Sequence, residues 1–233
     1  MQIHCLSAFP KLFQGFLDES IVKRAITKGE VKITLHNIRD YATDKHQQID
    51  DYPYGGGPGM ILKPEPLFRC LEALFEKKNV DGAKVTLLSP AGVTYNQKKA
   101  VELSLRDTLI LLCGHYKGID QRVIDQWVNE QISIGDYILT GGELGAMCIM
   151  DSVIRLLPGV INDIDSAITD SFQTGLLDYP HYTRPEVYRG LKVPSILLSG
   201  NHAEIDKWRI EKALAITREK RKDLYDKYEK NKL

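Results

Sequence analysis

From residue 64 onwards the chain alternates between strand and helix patterns, and its strands are almost unbroken apolar runs. The segments AKVTLLS, DTLILLC and EQISIG read as strands, and amphipathic segments with helical spacing separate them. Strands that are apolar on both sides are typical of a parallel sheet covered by helices on both faces. The pattern therefore predicts an α/β fold, and taken alone it predicts an open, doubly wound sheet.

Two further strands, QIHCLSAF and VKITLHNI, come earlier in the chain. Between them the apolar residues recur at helical spacing, which predicts a helix over residues 11–29. About 25 polar, Gly and Pro residues follow, and a loop of that length is often functional. A polar, acidic stretch begins after LPGV. We therefore predict a first domain over residues 1–160, a linker over 161–171 and a mainly helical C-terminal domain over 172–233.

The charges of the chain balance, with 31 acidic and 31 basic side chains, so no global field draws it to nucleic acid or to a membrane. A local excess lies in residues 207–233, which hold ten Lys and Arg against five Asp and Glu. This segment is either a solvated helix face or an RNA contact. No apolar run approaches the roughly 18 residues that span a bilayer.

The four cysteines are too far apart in sequence for a C-x-x-C zinc or redox pair. Cys5, Cys113 and Cys148 stand among apolar residues and are predicted to be small core side chains in a reduced compartment. The first residues show no basic stretch followed by a long apolar run, so no signal peptide is expected. These features predict a cytoplasmic protein.

Three strands end in unusual loops, LLSPAG at 87–92, LLCGHYKG at 111–118 and SIGDYILTGG at 133–142. In a parallel sheet such loops meet at the carboxyl edge, where ligands bind. They offer glycines, backbone groups and apolar side chains, which suit a flat ring such as adenine better than a triphosphate. Neither a phosphate-loop signature nor G-x-G-x-x-G is present. The alternative is three ordinary strand-to-helix turns.

Several longer motifs resemble the signatures of one family. SIGDYILTGGELGAM, CGHYKGID, DDYPYGGGPGM, TDSF, GLLDYPHYTRPEVYRG and SGNHAEIDKWR look like those of the bacterial tRNA (guanine-N1)-methyltransferases, the TrmD family of the SPOUT class, over essentially the whole chain. The resemblance implies methyl transfer from S-adenosyl-L-methionine to N1 of guanine 37 of tRNA, beside the anticodon. It also implies a parallel-sheet SPOUT domain with a deep trefoil knot, a C-terminal tRNA-binding domain, and a homodimer whose active site lies at the subunit interface.

The resemblance places the methyl donor among residues of the three loops. These residues are Leu87, Leu88, Ser89, Pro90, Gly114, Tyr116, Ile134, Gly135, Asp136, Tyr137, Ile138, Leu139, Gly141 and Gly142.

The chemistry requires a base, because guanine N1 carries a proton and is a poor nucleophile until that proton leaves. Negative charge then builds on O6 and needs a partner. By resemblance Asp170 is the general base, which arrives from the partner subunit in relatives, and Arg155 orients it or stabilises the developing charge. From the sequence alone, Asp170 reads as a linker carboxylate that caps the next segment through Ser171.

Two segments are implied to contact tRNA, DDYPYGGGPGM and PHYTRPEVY. Aromatic rings there suit base stacking, and glycines let a backbone approach a base or a phosphate. The residues concerned are Tyr54, Gly55, Gly56, Gly57, His181 and Arg184. Without the resemblance, the two segments read as a glycine-rich surface loop and a Pro-bounded turn.

Four positions depart from the family pattern. Lys117 stands where relatives carry a glutamate that lies near the methionine end of the donor and is tied to Mg²⁺ dependence, so the implied role of Mg²⁺ meets a reversed charge here. Ala91 and Val93 replace a polar and a cationic residue, and Gly145 replaces a proline. The implied base and the glycines are retained, so an active enzyme is expected, and no residue is assigned as a metal ligand.

Other functions compete with this interpretation. A different SPOUT methyltransferase would act on a ribose 2′-OH or another base, but DYPHYTRPEVY argues against it. A nucleotide-binding regulatory or RNA-binding module without catalysis would not need Asp170 and Arg155. A serine hydrolase would carry G-x-S-x-G, and a dehydrogenase would carry the G-x-G-x-x-G fingerprint. The chain contains neither motif.

Overall fold

A computed structural model of the chain describes residues 1–77, 80–161 and 170–231. The chain divides into two compact units, Met1–Asn162 and Asp163–Leu233. The linker predicted over residues 161–171 falls mostly on residues 162–169, which lie outside the described residues. Its limits and the two domain boundaries therefore stay predictions.

The first unit is built on a five-stranded sheet in which every pair of neighbouring strands is parallel, in the order β2-β1-β6-β5-β7. The strands of this sheet are β1 Gln2–Ser7, β2 Lys32–Asn37, β5 Val85–Thr94, β6 Thr108–Cys113 and β7 Val128–Ser133. The unit has two further short strands outside this sheet, β3 Asp50–Asp51 and β4 Ile61–Leu62. Its helices are α1 Gln14–Leu17, α2 Ser20–Thr27, α3 Pro64–Lys77, α4 Gln97–Ser104, α5 Gln121–Trp127 and α6 Glu143–Ile154, with 3₁₀ turns at Pro10–Phe13 and Ile38–Tyr41. The predicted parallel α/β fold is confirmed, and the trefoil threading stays a prediction.

Central strand β6 shows why the sheet is covered on both faces. Its residues from Leu109 to Cys113 are all fully buried. Leu109 and Leu111 belong to one apolar core, which α2, α4 and α6 complete, whereas Ile110 and Leu112 belong to a second core, with α3 and α5. Because successive side chains of a strand point to opposite faces, an unbroken apolar run supplies both cores.

Three local expectations differ from the structure. The helix predicted over residues 11–29 is broken between α1 and α2, because Glu19 has an extended backbone with φ of −130° and ψ of 160° that a continuous right-handed helix cannot include. Strand β5 does not end before the 87–92 loop; its pairing with β7 is interrupted after Leu88 and resumes at Val93. The core position predicted for Cys148 is wrong, since its thiol is exposed, on the side of α6 that also exposes Leu144.

The second unit is small, and its regular structure is mainly helical. Its elements are the antiparallel strands β8 Val187–Tyr188 and β9 Leu191–Lys192, a 3₁₀ turn at Ser195–Leu198, and the helices α7 His202–Lys220 and α8 Lys222–Lys230. The side chain of Asn201 caps α7 by accepting a hydrogen bond from the Glu204 amide. The hydroxyl of buried Thr217 accepts a hydrogen bond of 2.8 Å from the Leu177 amide. This bond ties the segment that precedes β8 to α7.

Candidate active site

The three loops at the carboxyl edge of the sheet enclose one cavity of about 530 Å³ in the first unit. Small-molecule sites in proteins commonly fall in this range of volume. Thirteen of the fourteen residues predicted to enclose the methyl donor line the cavity. The remaining one, Asp136, is exposed and does not line it. The structure thus brings the three separate loops together around one space, and their role in donor binding stays a prediction.

Two glycines hold the loops against each other. The Gly142 amide donates a hydrogen bond of 2.7 Å to the carbonyl oxygen of Gly114. A Cβ atom on Gly142 would lie 2.9 Å from the Cα atom of Cys113, which is closer than packed carbon atoms tolerate. Position 142 therefore needs glycine for close approach, because its backbone φ of −78° is accessible to any residue.

A buried carboxylate lies directly beneath this contact. Glu143 is only 2% exposed, and its Oε1 accepts a hydrogen bond of 2.7 Å from the Ser7 hydroxyl. Its Oε2 lies 3.8 Å from Nδ1 of His115, a residue that lines the cavity. A Cβ atom on Gly141 would collide with both of these atoms, so glycine leaves the room that they occupy.

The walls of the cavity fit an adenosine group. Leu87, Ile134 and Leu139 present apolar side chains, and the glycines expose backbone amides and carbonyls. Nothing lies within 3.8 Å of the place where a Cβ atom of Gly114 would stand, so the surface there is a shallow cradle. An apolar surface with a few fixed polar groups is typical of sites that bind a heteroaromatic ring.

Ten further residues line the cavity without having been predicted to bind the donor; half of them stand in the three loops, and Lys117 and Gly145 had been noted only as departures from the family pattern. They are His115, Lys117, Gly118, Ile119, Gln121, Ile124, Ile132, Ser133, Thr140 and Gly145. Lys117 is the only Lys, Arg, Asp or Glu among the lining residues that the structure describes. Beside it, Tyr116 has a left-handed φ of 59°. Burial and the carboxylate of Asp50 raise the pKa of the Tyr116 hydroxyl, so this hydroxyl remains a hydrogen-bond donor at neutral pH.

Cys113 ends β6 directly below the cavity, and its thiol is not available as a nucleophile. Its Sγ lies 3.6 Å from Sγ of Cys5. The hydrogen bond with Cys5 and complete burial raise the pKa of Cys113 well above its ordinary value. Because the thiolate is the reactive form, a thiol held neutral in the core is inert.

The two predicted catalytic residues belong to different units. Arg155 follows the end of α6 in the first unit, where its amide donates to the carbonyl oxygen of Asp151. Asp170 stands at the start of the described part of the second unit, and its carbonyl oxygen accepts from the Gln173 amide. Both residues are intermediate in exposure, but the Oδ2 atom of Asp170 is buried. Their joint role stays a prediction.

The glycine-rich loop predicted to contact tRNA lies on the surface of the first unit. Tyr54 is 100% exposed. Gly55, Gly56 and Gly57 have φ values of 84°, 76° and 114°, and a Cβ atom at any of them would meet nothing within 4 Å. These glycines are therefore required by the shape of the backbone and not by packing.

The segment around His181 in the second unit is a cluster of rings and cations. The Tyr179 ring lies 4.6 Å from His181 and 6.4 Å from Trp208, and the guanidinium of Arg209 stands 5.2 Å over the same ring. Nε2 of His181 also lies 2.8 Å from the Asp178 carboxylate. Arg184 is exposed and precedes a cis proline. His181 is exposed, whereas Tyr179 and Trp208 are half-buried. An exposed ring beside cations is a surface on which single-stranded RNA can stack.

The described residues hold neither a metal cluster nor a membrane-spanning helix. Within residues 1–77, 80–161 and 170–231, no three or more His, Cys, Asp and Glu side chains converge as a metal site would require. The implied role of Mg²⁺ thus stays a prediction. None of the helices in those ranges combines the length and the apolar character needed to cross a bilayer.

Comparisons with known proteins agree along the whole chain. A family model described as tRNA (Guanine-1)-methyltransferase TrmD matches residues 1–227. A protein of Clostridioides difficile, named tRNA (guanine-N(1)-)-methyltransferase, is 50% identical over 227 residues, which is 97% of this chain and 98% of that protein. Proteins with the same name from Listeria monocytogenes and Dehalococcoides mccartyi are 53% and 52% identical, over 98% and 97% of this chain and 93% and 91% of their own lengths.

Proposed function

The chain belongs to the TrmD family of tRNA (guanine-1)-methyltransferases, and we propose that it methylates N1 of the guanine at position 37 of tRNA with S-adenosylmethionine as donor. N1 methylation of a guanine in tRNA is the activity that this membership carries. The observation that supports the proposed donor is the cavity at the carboxyl edge of the sheet. Three loops that are far apart in sequence meet there around apolar walls and backbone amides.

The cavity is the proposed donor site. When bound, adenosylmethionine supplies a methyl group made electrophilic by its sulfonium sulfur. The chain contributes a rigid floor, because the hydrogen bond from Gly142 to Gly114 holds two of the loops at a fixed spacing. The apolar walls remove water from the adenosine ring, and the cradle at Gly114 lets the ring approach the backbone.

Asp170 is the proposed general base, which takes the proton from guanine N1. A carboxylate within hydrogen-bond reach of that proton would contribute about 10²–10⁴ in rate. Arg155 is the proposed partner for the negative charge that develops on O6, or for the Asp170 carboxylate itself. The assignment rests on the position of both residues in the family motifs.

A homodimer with the active site at the subunit interface is part of the proposal. Large apolar side chains stand exposed around the cavity and on α6: Ile138 is 81% exposed, Tyr137 56% and Leu144 54%. Clustered exposed apolar groups are typical of surfaces that another protein covers. A partner subunit would bury them and bring its own Asp170 to the donor.

The proposed tRNA contacts are the glycine-rich loop at Tyr54 in the first unit and the ring cluster at His181 and Arg184 in the second. Both offer exposed aromatic rings for stacking, and the second adds cations for phosphates. Neither contact depends on a global charge, which agrees with a chain whose charges balance.

The test is methyl transfer from labelled adenosylmethionine to two tRNA transcripts, one with guanine and one with adenine at position 37. We expect labelling of the first transcript only, and the label should elute as 1-methylguanosine after digestion. Label on the adenine transcript, or at any other guanine, would overturn the assignment of the site. Parallel reactions with Mg²⁺ and with a chelator decide whether the implied metal is needed.

A further inference from the structure

The proposed donor cavity contains one side chain of permanent charge. Among its lining residues, which all belong to the described part of the first unit, Lys117 is the sole Lys or Arg, and no Asp or Glu lines the cavity. The nearby Glu143 carboxylate is buried beneath the floor, where the Ser7 hydroxyl already donates to it. A ligand in the cavity therefore meets an exposed cation that no lining carboxylate balances.

The stem of Lys117 is held in place from below. Its amide donates a hydrogen bond of 3.0 Å to the carbonyl oxygen of Met60. Its methylene carbons lie over Gly59, where a Cβ atom would come within 2.9 Å of Cγ and 3.3 Å of Cε. Gly59 also has a left-handed φ of 93°. Glycine at position 59 thus makes a groove for the lysine stem, and the ordering cost of a flexible side chain is reduced before any ligand binds.

We propose that the Lys117 ammonium binds the carboxylate at the amino-acid end of the methyl donor, and so selects donors that carry this carboxylate. The inference rests on the proposed function, since it assigns one part of the donor to one residue of that same cavity. Adenosylmethionine has a single anionic group, its carboxylate, and two cationic groups, the sulfonium and the amine. A lone cation attracts the first and repels the other two, which orients the amino-acid end in the cavity.

The position of the stem on Gly59 gives the contact a second consequence. Gly59 lies two residues after the Gly55, Gly56 and Gly57 turn of the proposed tRNA loop. Lys117 thus joins the proposed contact with the donor carboxylate to the base of that loop.

The test compares two ligands that differ only in the carboxylate, adenosylmethionine and its decarboxylated form. Isothermal titration calorimetry gives the dissociation constant of each for the intact protein, and the ratio of the two constants measures the carboxylate alone, because the adenosine part cancels. An ion pair that remains partly in water gives a ratio of about threefold to tenfold in favour of adenosylmethionine. We expect that ratio for the native chain and for Lys117→Arg.

The ratio should fall to about one in Lys117→Met, because the methionine side chain keeps the apolar stem and removes the charge. In Lys117→Glu it should invert, so that the decarboxylated ligand binds more tightly. The matched control is Lys98→Met, which removes an exposed lysine on α4 outside the cavity and should keep the native ratio. Thermal unfolding of each variant verifies that the fold is intact.

If the ratio of the two dissociation constants in Lys117→Met and in Lys117→Glu equals that of the native chain, the inference is wrong and the proposed function is unaffected. If the native chain binds neither adenosylmethionine nor adenosylhomocysteine, the proposed donor site itself is wrong, and the inference falls with it. The two failures are distinguished by the native protein alone, before any variant is made.

Discussion

The Gly142 amide donates a 2.7 Å hydrogen bond to the carbonyl oxygen of Gly114, and this bond joins the start of α6 to the end of β6. The contact is close enough to exclude a side chain, since a Cβ atom on Gly142 would lie 2.9 Å from the Cα atom of Cys113 and 3.1 Å from the Gly114 nitrogen. Both neighbours are backbone atoms, in the last residue of β6 and the residue after it, and they cannot move aside as a flexible side chain would. The spacing of two cavity loops thus depends on the absence of one methyl group.

We expect Gly142→Ala to weaken binding of adenosylhomocysteine about fivefold or more, because overpacking at a rigid contact costs roughly 1–3 kcal/mol. Calorimetric titration measures the loss. Gly15→Ala is the matched control, since Gly15 lies on α1 outside the cavity and a Cβ atom there would meet nothing within 4 Å. Equal binding by the native chain and Gly142→Ala would show that the close approach does not set the shape of the cavity.

The sequence predicted the layered fold and the place where three loops enclose a cavity because both depend on local patterns. The run from Leu109 to Cys113 is apolar at every position, which in a strand means two covered faces. The three loops stood out by their glycines, and the family resemblance that they carried is confirmed by the match over residues 1–227. Periodicity and turn chemistry are sufficient for such features.

Contacts between distant residues could not be read in the same way. Ser7 and Glu143 are 136 residues apart, and nothing in either segment indicates that a hydroxyl of β1 meets a buried carboxylate of α6. The lysine stem of Lys117 over Gly59 is another long-range contact. The position of Cys148 was also predicted wrongly, because apolar neighbours in sequence do not decide which side of a helix faces the core.

Asp170 should be needed for turnover and not for donor binding. We expect Asp170→Asn to lower the single-turnover rate of methyl transfer by about 10²–10⁴, because the amide cannot accept the N1 proton. The dissociation constant of adenosylhomocysteine should stay within about twofold of the native value. Asp223→Asn, on α8, is the control, because its carboxylate is an exposed partner of Arg221. Native turnover in Asp170→Asn would rule out a role as base.

Glu130 on β7 should make the free energy of unfolding of the first unit depend on pH in the acidic range. Burial alone would raise its pKa, but hydrogen bonds from Arg106, Lys99 and Thr86 lower the pKa to about 2. Because this value lies below the ordinary 4.5, the carboxylate stabilises the fold above about pH 4.5, and the stabilisation is lost as the pH falls towards 2.

At neutral pH we expect Glu130→Gln to reduce the free energy of unfolding by roughly 1–3 kcal/mol, with the difference from the native chain shrinking below about pH 4.5. Denaturant titrations at several pH values measure both effects. Glu102→Gln removes a carboxylate that contacts the same two cations but is 54% exposed, so it should cost less than about 1 kcal/mol. A difference for Glu130→Gln that stays constant down to pH 2.5 would contradict this account.

Arg184 should contribute to tRNA affinity through a phosphate. We expect Arg184→Ala to weaken tRNA binding, and the slope of log affinity against log salt concentration to become shallower by about 0.7–0.9, the contribution of one lost phosphate contact. Filter binding at four salt concentrations gives the slope. Arg24→Ala removes an exposed arginine of α2 and serves as the control for a change in overall charge. An unchanged slope would mean that Arg184 touches no phosphate.

Tyr54 should act as a stacking surface for a base beside the target guanine. The ring is 100% exposed and precedes three glycines of positive φ, so it is presented to solvent on a backbone that only glycine adopts with ease. Stacking of one base on an aromatic ring is worth about 1–3 kcal/mol, so Tyr54→Ala should raise the KM for tRNA roughly fivefold or more. Tyr54→Phe retains the ring and should be close to native, whereas equal losses in both variants would point to the hydroxyl instead. Because Tyr54 does not line the donor cavity, binding of adenosylhomocysteine should be the same in all three proteins, which separates loss of the acceptor contact from damage to the fold.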